Sequence, residues 1–247
     1  MRPGVFDYGL VALLVLRETV EGRWLWPSAL RAIRTGVTGA RTRMYRNTIL
    51  FLWIVTLYVL ALWIVQGRPW SALWLGSAVS WRLSIGISAA AIVIAFLMLQ
   101  ARRVQKALAR PKAVARLREQ LAFADPLAPK TSGERRGFWL LSITAGICEE
   151  ILFRGFLIWF IAAWTGLAAG IVLSSIVFGF AHIYLGAAHV PKTAVVGFAL
   201  AVIVVASGSL WPAMVIHTAL DLNGGELGFR VSRAAATDLS SATSVTS

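Results

Sequence analysis

The stretch that decides the fold of this chain is residues 137–164, which read GFWLLSITAGICEEILFRGFLIWFIAAW. The stretch is long and apolar enough to cross a membrane as a helix, yet its middle carries Glu149, Glu150 and Arg154. A charged side chain at the centre of a membrane costs at least about 2.5–3.5 kcal/mol. Three such groups so close together therefore predict a functional site inside the bilayer.

The composition of the whole chain also indicates a membrane protein. Of its 247 residues, 58% are hydrophobic and only 14% are charged, whereas charged residues make up about 25% of a typical soluble domain. The net charge of +13 does not indicate nucleic acid as a partner. Lys and Arg fall in blocks between apolar runs, as they do in cytoplasmic loops that face anionic membrane lipid. The single cysteine, Cys148, excludes an intramolecular disulfide.

The apolar runs predict a bundle of membrane helices. The segments that we expect to cross or enter the membrane are 5–26, 47–66, 83–100, 137–164, 167–185, 193–210 and 211–222. Whether 5–26 crosses as one helix stays open, because Arg17 and Glu18 interrupt it. The predicted fold class is therefore all-α, a polytopic membrane bundle of about six to eight transmembrane helices.

The basic blocks predict the orientation of the chain. Residues 17–46 carry seven arginines against two glutamates, and residues 101–136 carry ten Lys or Arg against three acids. These blocks fall on one side of the membrane if the helices alternate, which predicts a cytoplasmic C-terminus. We divide the chain into N-terminal membrane helices with a basic loop at 1–136, a four-helix core at 137–230 and a disordered tail at 231–247. Within the basic loop, 104–123 has the pattern of an amphipathic surface helix.

The three charged residues of the opening stretch have different expected roles. Glu150 and Arg154 are four residues apart, so they share a helical face and are expected to form an ion pair. Glu149 points about 100° away from Glu150 on a regular helix. We therefore expect the two carboxylates to have different partners, with Glu149 left for chemistry. Small residues on the Glu149 face, Ala145 and Gly146, favour the close approach of another helix.

Two further apolar segments carry histidines. His182 shares a face with Ser175 and Gly179, a small-residue strip suited to close helix packing. His217 and Asp221 are four residues apart, a pair that can fix a histidine tautomer, bind a metal or stabilise an oxyanion. A single intramembrane histidine is often only a hydrogen bond between helices. A glutamate, two histidines and an aspartate on three apolar segments favour a site over that alternative.

These residues form three motifs in order: EEILFR from Glu149, FGFAH from Phe178 and HTALD from His217. They resemble the motifs EExxxR, FxxxH and HxxxN/D of the CPBP (CAAX protease and bacteriocin-processing, also called Abi) intramembrane endopeptidases, which include the type II CAAX prenyl proteases. The resemblance covers residues 137–223. It implies a membrane protease that cleaves a membrane-associated peptide or protein, as in CAAX-type or leader- and sorting-peptide processing.

The resemblance also implies roles for the motif residues. Glu149 would be the general base that activates water, and His182 would help to hold that water. His217 and Asp221 would stabilise the tetrahedral oxyanion. The residues expected to support the site are Glu150, Arg154, Phe178 and Asn223.

Asp221 departs from the more common residue of the third motif. Many family members have Asn there, and Asn can donate a hydrogen bond, whereas an ionised Asp cannot. An oxyanion role for Asp221 therefore requires a protonated carboxyl. Otherwise Asp221 orients His217, and Asn223 is a possible substitute donor.

A metal and two other function classes stay open. Glu149, His182, His217 and Asp221 could hold zinc, but the chain lacks an HExxH helix, and the resemblance favours a glutamate-dependent mechanism without a cofactor. A non-catalytic immunity or chaperone-like membrane protein is the main alternative function. A transporter is a weaker alternative, because the chain shows no repeated halves. The sequence does not predict the oligomeric state.

The depth of the candidate residues poses a geometric difficulty. At 1.5 Å per residue, Glu149 lies about 18 Å along its helix from residue 137, whereas His182 lies near the cytoplasmic end of its own segment. The two residues can meet only if the first helix begins below the membrane surface or the helices are offset.

Overall fold

The computed structural model describes residues 2–20, 25–76, 80–122, 124 and 126–245, and every regular element within them is helical. The α-helices are α1 (Val5–Val20), α2 (Trp26–Arg34), α3 (Ala40–Val65), α4 (Trp81–Ala107), α5 (Pro111–Gln120), α6 (Ser132–Glu149), α7 (Ile158–Thr165), α8 (Leu167–Ala181), α9 (Val190–Ser207) and α10 (Trp211–Val245). The predicted all-α class is confirmed.

Several helices expose apolar faces that only lipid can cover. Within the described residues, three helices have the length and hydropathy needed to cross a membrane: α3, α4 and Ala187–Ser207, which includes α9. Side chains on them are largely exposed, for example Ile54 at 66%, Ile92 at 69% and Val195 at 68%. Two shorter helices, Val5–Leu16 and α8, are also apolar. The molecule is therefore an integral membrane protein with a helical bundle.

Helix α6 begins earlier than residue 137, where the apolar stretch begins. The hydroxyl of Thr131 accepts a hydrogen bond from the Glu134 amide at 3.2 Å, and the Glu134 carboxylate accepts one from the Thr131 amide at 3.2 Å. This reciprocal capping box satisfies two amides at the start of the helix. Arg41 on α3 also binds Glu134 at 3.2 Å, which ties the N-terminal half of the chain to the core.

The predicted helix over residues 137–164 is continuous, but it is not a regular α-helix throughout. Residues Glu150–Leu157 form a π-helical segment that joins α6 to α7 without a break. The carbonyl of Phe153 accepts a hydrogen bond from the Ser174 hydroxyl on α8 at 2.7 Å. Because a π turn holds more residues than an α turn, it changes the direction of the side chains around Glu150.

The hairpin formed by α7 and α8 removes the difficulty of depth. Gly166 makes the turn between these helices with a φ of 84°. Counted from Gly166, Glu149 and His182 are almost equally far along the chain, so the antiparallel arms bring them to one level. Helix α8 ends at Ala181, and a separate 3-10 turn, Ile183–Leu185, completes the segment predicted as 167–185.

Helix α10 is longer than predicted. It begins at Trp211, as expected, but continues through Val245, beyond the predicted end at residue 222 and into the segment expected to be disordered. Three consecutive alanines, residues 234–236, favour this continuation because alanine has the highest helix propensity.

Two N-terminal predictions need correction or restriction. Residues 104–123 do not form one amphipathic helix, because α4 continues to Ala107 and α5 begins at Pro111. Arg110 adopts an extended backbone, as residues before proline do. In the segment 5–26, α1 ends at Val20 and α2 begins at Trp26, and residues 21–24 lie outside the described ranges.

A buried ion pair that the sequence did not indicate holds α1 against the bundle. The Asp7 carboxylate accepts two hydrogen bonds from the Arg68 guanidinium, at 2.8 and 2.6 Å. The Arg68 guanidinium also lies 4.8 Å from the ring centre of Trp63 and 4.4 Å from that of Trp159. Contact with two aromatic rings adds cation–π attraction to the ion pair.

Candidate active site

Four of the candidate residues converge from three helices. The Oε2 atom of Glu149 lies 3.8 Å from Nε2 of His182 and 3.9 Å from Nε2 of His217. The Asp221 carboxylate lies 3.7 Å from the same Nε2 of His217. The end of α6, the end of α8 and the first third of α10 therefore meet at the Glu149 carboxylate. We call Glu149, His182, His217 and Asp221 the acid–histidine cluster.

Glycines allow these helices to approach closely. A Cβ atom on Gly146 would lie 2.0 Å from Oγ1 of Thr218 and 2.9 Å from the Thr218 backbone nitrogen. A Cβ on Gly179 would lie 2.7 Å from the carbonyl oxygen of Val190 and 2.9 Å from Cβ of Ala194. Gly146 thus lets α10 contact α6, and Gly179 lets α9 contact α8. The sequence predicted both small-residue strips but not which helices they would meet.

The ring of His182 is held by a backbone carbonyl. Its Nδ1 lies 2.9 Å from the carbonyl oxygen of Phe178, one turn earlier on α8. A carbonyl oxygen can only accept a hydrogen bond, so Nδ1 carries the proton. In the neutral ring, Nε2 then presents a lone pair toward Glu149. Phe178 therefore supports the site through its backbone as well as through its ring.

The ring of His217 is held by Glu150. Its Nδ1 lies 2.7 Å from Oε1 of Glu150, and the same Oε1 accepts a hydrogen bond from Arg154 at 2.9 Å. The predicted ion pair between Glu150 and Arg154 is present. Glu150 also orients His217, a role that the sequence left to Asp221. Asp221 lies on the Nε2 side of the ring instead.

The arginine of the first motif is packed between α8 and α9. Its guanidinium lies 4.0 Å from the ring centre of Phe178. A Cβ on Gly197 of α9 would lie 2.9 Å from Cδ1 of Phe178 and 3.2 Å from Nη2 of Arg154. Gly197 therefore makes room for both side chains. The sequence analysis missed Gly197 because an isolated glycine in an apolar helix carries no periodic signal.

Asn223 is not brought to the cluster. Its carboxamide donates a hydrogen bond to Oε1 of Gln100 on α4 at 3.1 Å. Two residues along a helix turn a side chain by about 200°, so Asn223 faces away from Asp221. The hypothesis that Asn223 is a substitute oxyanion donor is not supported by this placement.

Exposure increases across the site toward Asp221. The Glu150 side chain is 0% exposed, those of Glu149 and His182 are each 16% exposed, and that of Asp221 is 38% exposed. Asp221 therefore lies on the most exposed side of the cluster. Beside His182, the ring centre of Tyr184 lies 5.6 Å away. Tyr184 was not among the predicted site residues.

The cluster does not fit a metal ion well in this arrangement. Among the described residues, no group of three or more His, Cys, Asp or Glu side chains is placed to hold a metal. Zinc ligands lie about 2.0–2.2 Å from the ion for nitrogen and oxygen. Tetrahedral ligands at such distances from the ion are about 3.4 Å from one another, whereas Oε2 of Glu149 lies 3.8 and 3.9 Å from the two Nε2 atoms.

Comparison with known proteins agrees with the motifs. Residues 134–223 match the family model described as type II CAAX prenyl endopeptidase Rce1-like. The matched region contains every residue of the acid–histidine cluster. It also contains Glu150, Arg154 and Phe178, which hold the two histidine rings and the buried ion pair. No curated protein and no solved structure matches the chain.

Proposed function

We propose that this chain is an intramembrane endopeptidase in which Glu149 and His182 activate water. The match of residues 134–223 to the type II CAAX prenyl endopeptidase Rce1-like family model supports this proposal. The observation that carries the proposal is the position of the Glu149 carboxylate between the Nε2 atoms of two histidines, at 3.8 and 3.9 Å. Such distances are too long for a direct hydrogen bond, but they allow one water molecule to contact both the Glu149 carboxylate and a histidine Nε2 atom.

The first step uses Glu149 and His182 as acceptors. A water molecule between them can donate one hydrogen to Oε2 of Glu149 and the other to the lone pair on Nε2 of His182. Its oxygen lone pairs then point toward the substrate. As the oxygen bonds to the scissile carbonyl carbon, one proton moves to the Glu149 carboxylate, so Glu149 is the general base.

The second step stabilises and resolves the tetrahedral intermediate. With Nδ1 of His217 donating to Glu150, Nε2 can donate to the oxyanion only if the ring is doubly protonated. Two carboxylates lie within 4 Å of the ring and balance that charge while Glu149 holds the proton: Glu150 and Asp221. When the carbon–nitrogen bond breaks, Glu149 returns its proton to the leaving amine. The atoms and charges therefore balance without a cofactor.

The substrate class follows from the family and from the location of the cluster. The matched family model is described as that of a type II CAAX prenyl endopeptidase, and the cluster here lies within an apolar helical bundle. We propose a membrane-associated peptide or protein substrate. A CAAX-type terminus and an anchored leader or sorting peptide both satisfy this description.

The test is proteolysis by the purified full-length protein in liposomes. The probes are a farnesylated peptide ending in a CAAX sequence and a membrane-anchored leader peptide. We expect Glu149→Gln and His182→Ala each to reduce cleavage by about 10²–10⁴-fold. Glu119→Gln, which removes an exposed carboxylate on α5, is the matched control. Wild-type rates in Glu149→Gln and His182→Ala would favour the non-catalytic alternative.

Removal of metal provides a second test of the mechanism. We expect cleavage to persist after treatment with EDTA and 1,10-phenanthroline, because proton transfer in the proposed steps uses only side chains. Elemental analysis of the active protein should find less than one zinc per chain. Loss of cleavage that added zinc restores would contradict a metal-free mechanism.

A further inference from the structure

A cavity distinct from the acid–histidine cluster lies where α5 meets the second half of α10. Its volume is about 340 Å³, and none of the four cluster residues lines it. Two cationic side chains border it: Arg118 on α5 and Lys130 just before α6. The Lys130 ammonium donates a hydrogen bond to the Ser232 hydroxyl on α10 at 2.7 Å.

Apart from Arg118, Lys130 and Ser232, the residues that line the cavity are apolar or are glycines. Leu121 and Val231 line it together with alanines and two glycines. A Cβ on Gly228 would lie 2.7 Å from Cβ of Ala128, so that glycine is needed for packing. A Cβ on Gly224, in contrast, would have no atom within 4 Å. Gly224 therefore leaves open space on the α10 side of the cavity.

The surroundings of the cavity favour an anion. Residues 101–136, which supply the α5 wall and Lys130, contain ten Lys or Arg against three acids. An ammonium group has three donors, so Lys130 can bind an anion in addition to Ser232 and its other partners. A guanidinium can bind two phosphate oxygens at once.

We propose that this cavity binds one anionic phospholipid, with its phosphate between Arg118 and Lys130 and its glycerol and upper acyl chain against Leu121 and Val231. A free phosphate would use the two cations and leave the apolar wall uncovered. An acidic peptide would need partners for its backbone, and among the described lining side chains only Arg118, Lys130 and Ser232 carry hydrogen-bonding groups. Basic pockets between membrane helices bind lipid headgroups in this way.

The experiment measures lipid bound to the delipidated full-length protein by native mass spectrometry. Phosphatidylglycerol and phosphatidylcholine are titrated separately. We expect one phosphatidylglycerol to bind more tightly than phosphatidylcholine. The double variant Arg118→Gln and Lys130→Gln should weaken that site roughly 30-fold, since each cation near a lipid headgroup contributes about a fivefold increase in affinity. Gly224→Leu should abolish it by filling the open wall.

Matched controls separate a defined site from general attraction to a basic loop. Lys112→Gln with Arg116→Gln removes the same amount of charge from α5, at positions that do not line the cavity. Gly9→Leu adds a side chain at another helical glycine with open space. Both controls should keep the tight phosphatidylglycerol. Equal weakening by the control pair, no preference over phosphatidylcholine, or equally tight binding of glycerol phosphate would each overturn the proposal.

Discussion

At the scale of single residues, both histidine rings are oriented by a hydrogen bond at Nδ1, but the acceptor of that bond differs between them. A carbonyl oxygen holds His182, and a carboxylate that also pairs with Arg154 holds His217. Both rings therefore turn Nε2 toward Glu149, while only the ring of His217 has carboxylates on both sides. This difference suits His182 for binding water and His217 for stabilising negative charge.

The buried ion pair leads to a prediction about stability. Glu150→Gln leaves the Arg154 charge buried without its partner, and breaking a buried pair costs about 3–5 kcal/mol. We expect the free energy of unfolding to fall by about that amount, measured by SDS-induced unfolding in mixed micelles. The double variant Glu150→Gln and Arg154→Met should recover part of the loss. A Glu150→Gln variant as stable as the wild type would show that the pair contributes little.

The residue at position 221 leads to a prediction about the oxyanion. Asp221→Asn supplies a hydrogen-bond donor without protonation, so we expect cleavage to be retained or increased. Asp221→Ala removes the carboxylate beside His217 and supplies no donor in its place, so it should lose about 10²-fold in kcat. Asn223→Ala should change kcat less than about tenfold, because it removes one neutral hydrogen bond to Gln100. A larger loss for Asn223→Ala than for Asp221→Ala would reverse these assignments.

At the scale of helices, the site depends on how closely α10 approaches α6 and on the π-helical segment after Glu149. The close approach brings His217 to the end of α6. The wide turn allows adjacent carboxylates to lie on opposite sides of one imidazole: Glu150 binds Nδ1 at 2.7 Å, and Glu149 lies 3.9 Å from Nε2. On a regular helix, these carboxylates would point about 100° apart.

The contact between α6 and α10 gives a prediction for Gly146. Gly146→Ala places a Cβ against Thr218 and must push the helices apart. A displacement near 1 Å at a catalytic group can cost about 10²-fold in rate, so we expect kcat to fall by roughly that factor. Gly9→Ala, at a glycine with open space, is the matched control and should keep wild-type cleavage. Full activity in Gly146→Ala would mean that α10 can shift without moving His217.

At the scale of the whole molecule, lipid-facing helices surround a polar cluster, and basic segments join them. The apolar faces of α3, α4 and α9 are exposed outward, while Glu149, His182 and His217 lie inside. The positive-inside rule predicts that the basic segments and the C-terminus face the cytoplasm. This orientation would open the Asp221 side of the cluster toward the cytoplasm.

The orientation can be tested with introduced cysteines. Cys148 is 0% exposed, so the wild-type chain should not react with a membrane-impermeant maleimide in intact cells. We expect Ser71→Cys, in the turn before α4, to be labelled in intact cells. Lys112→Cys, at the start of α5, should be labelled only after the membrane is permeabilised. The opposite pattern would place the basic loop outside the cell.

The sequence by itself identified the membrane class, the residues of the three motifs and the Glu150–Arg154 pair. Charges stand out in apolar runs, and helical periodicity reveals which residues share a face. Only the tertiary structure decided that Glu150 orients His217, that Asn223 turns to Gln100, and that the Gly166 hairpin brings Glu149 level with His182. These features depend on the offset and rotation between helices and on a π turn that shifts the register. The apolar periodicity of a single helix contains no information about its placement against other helices or about the position of a π turn.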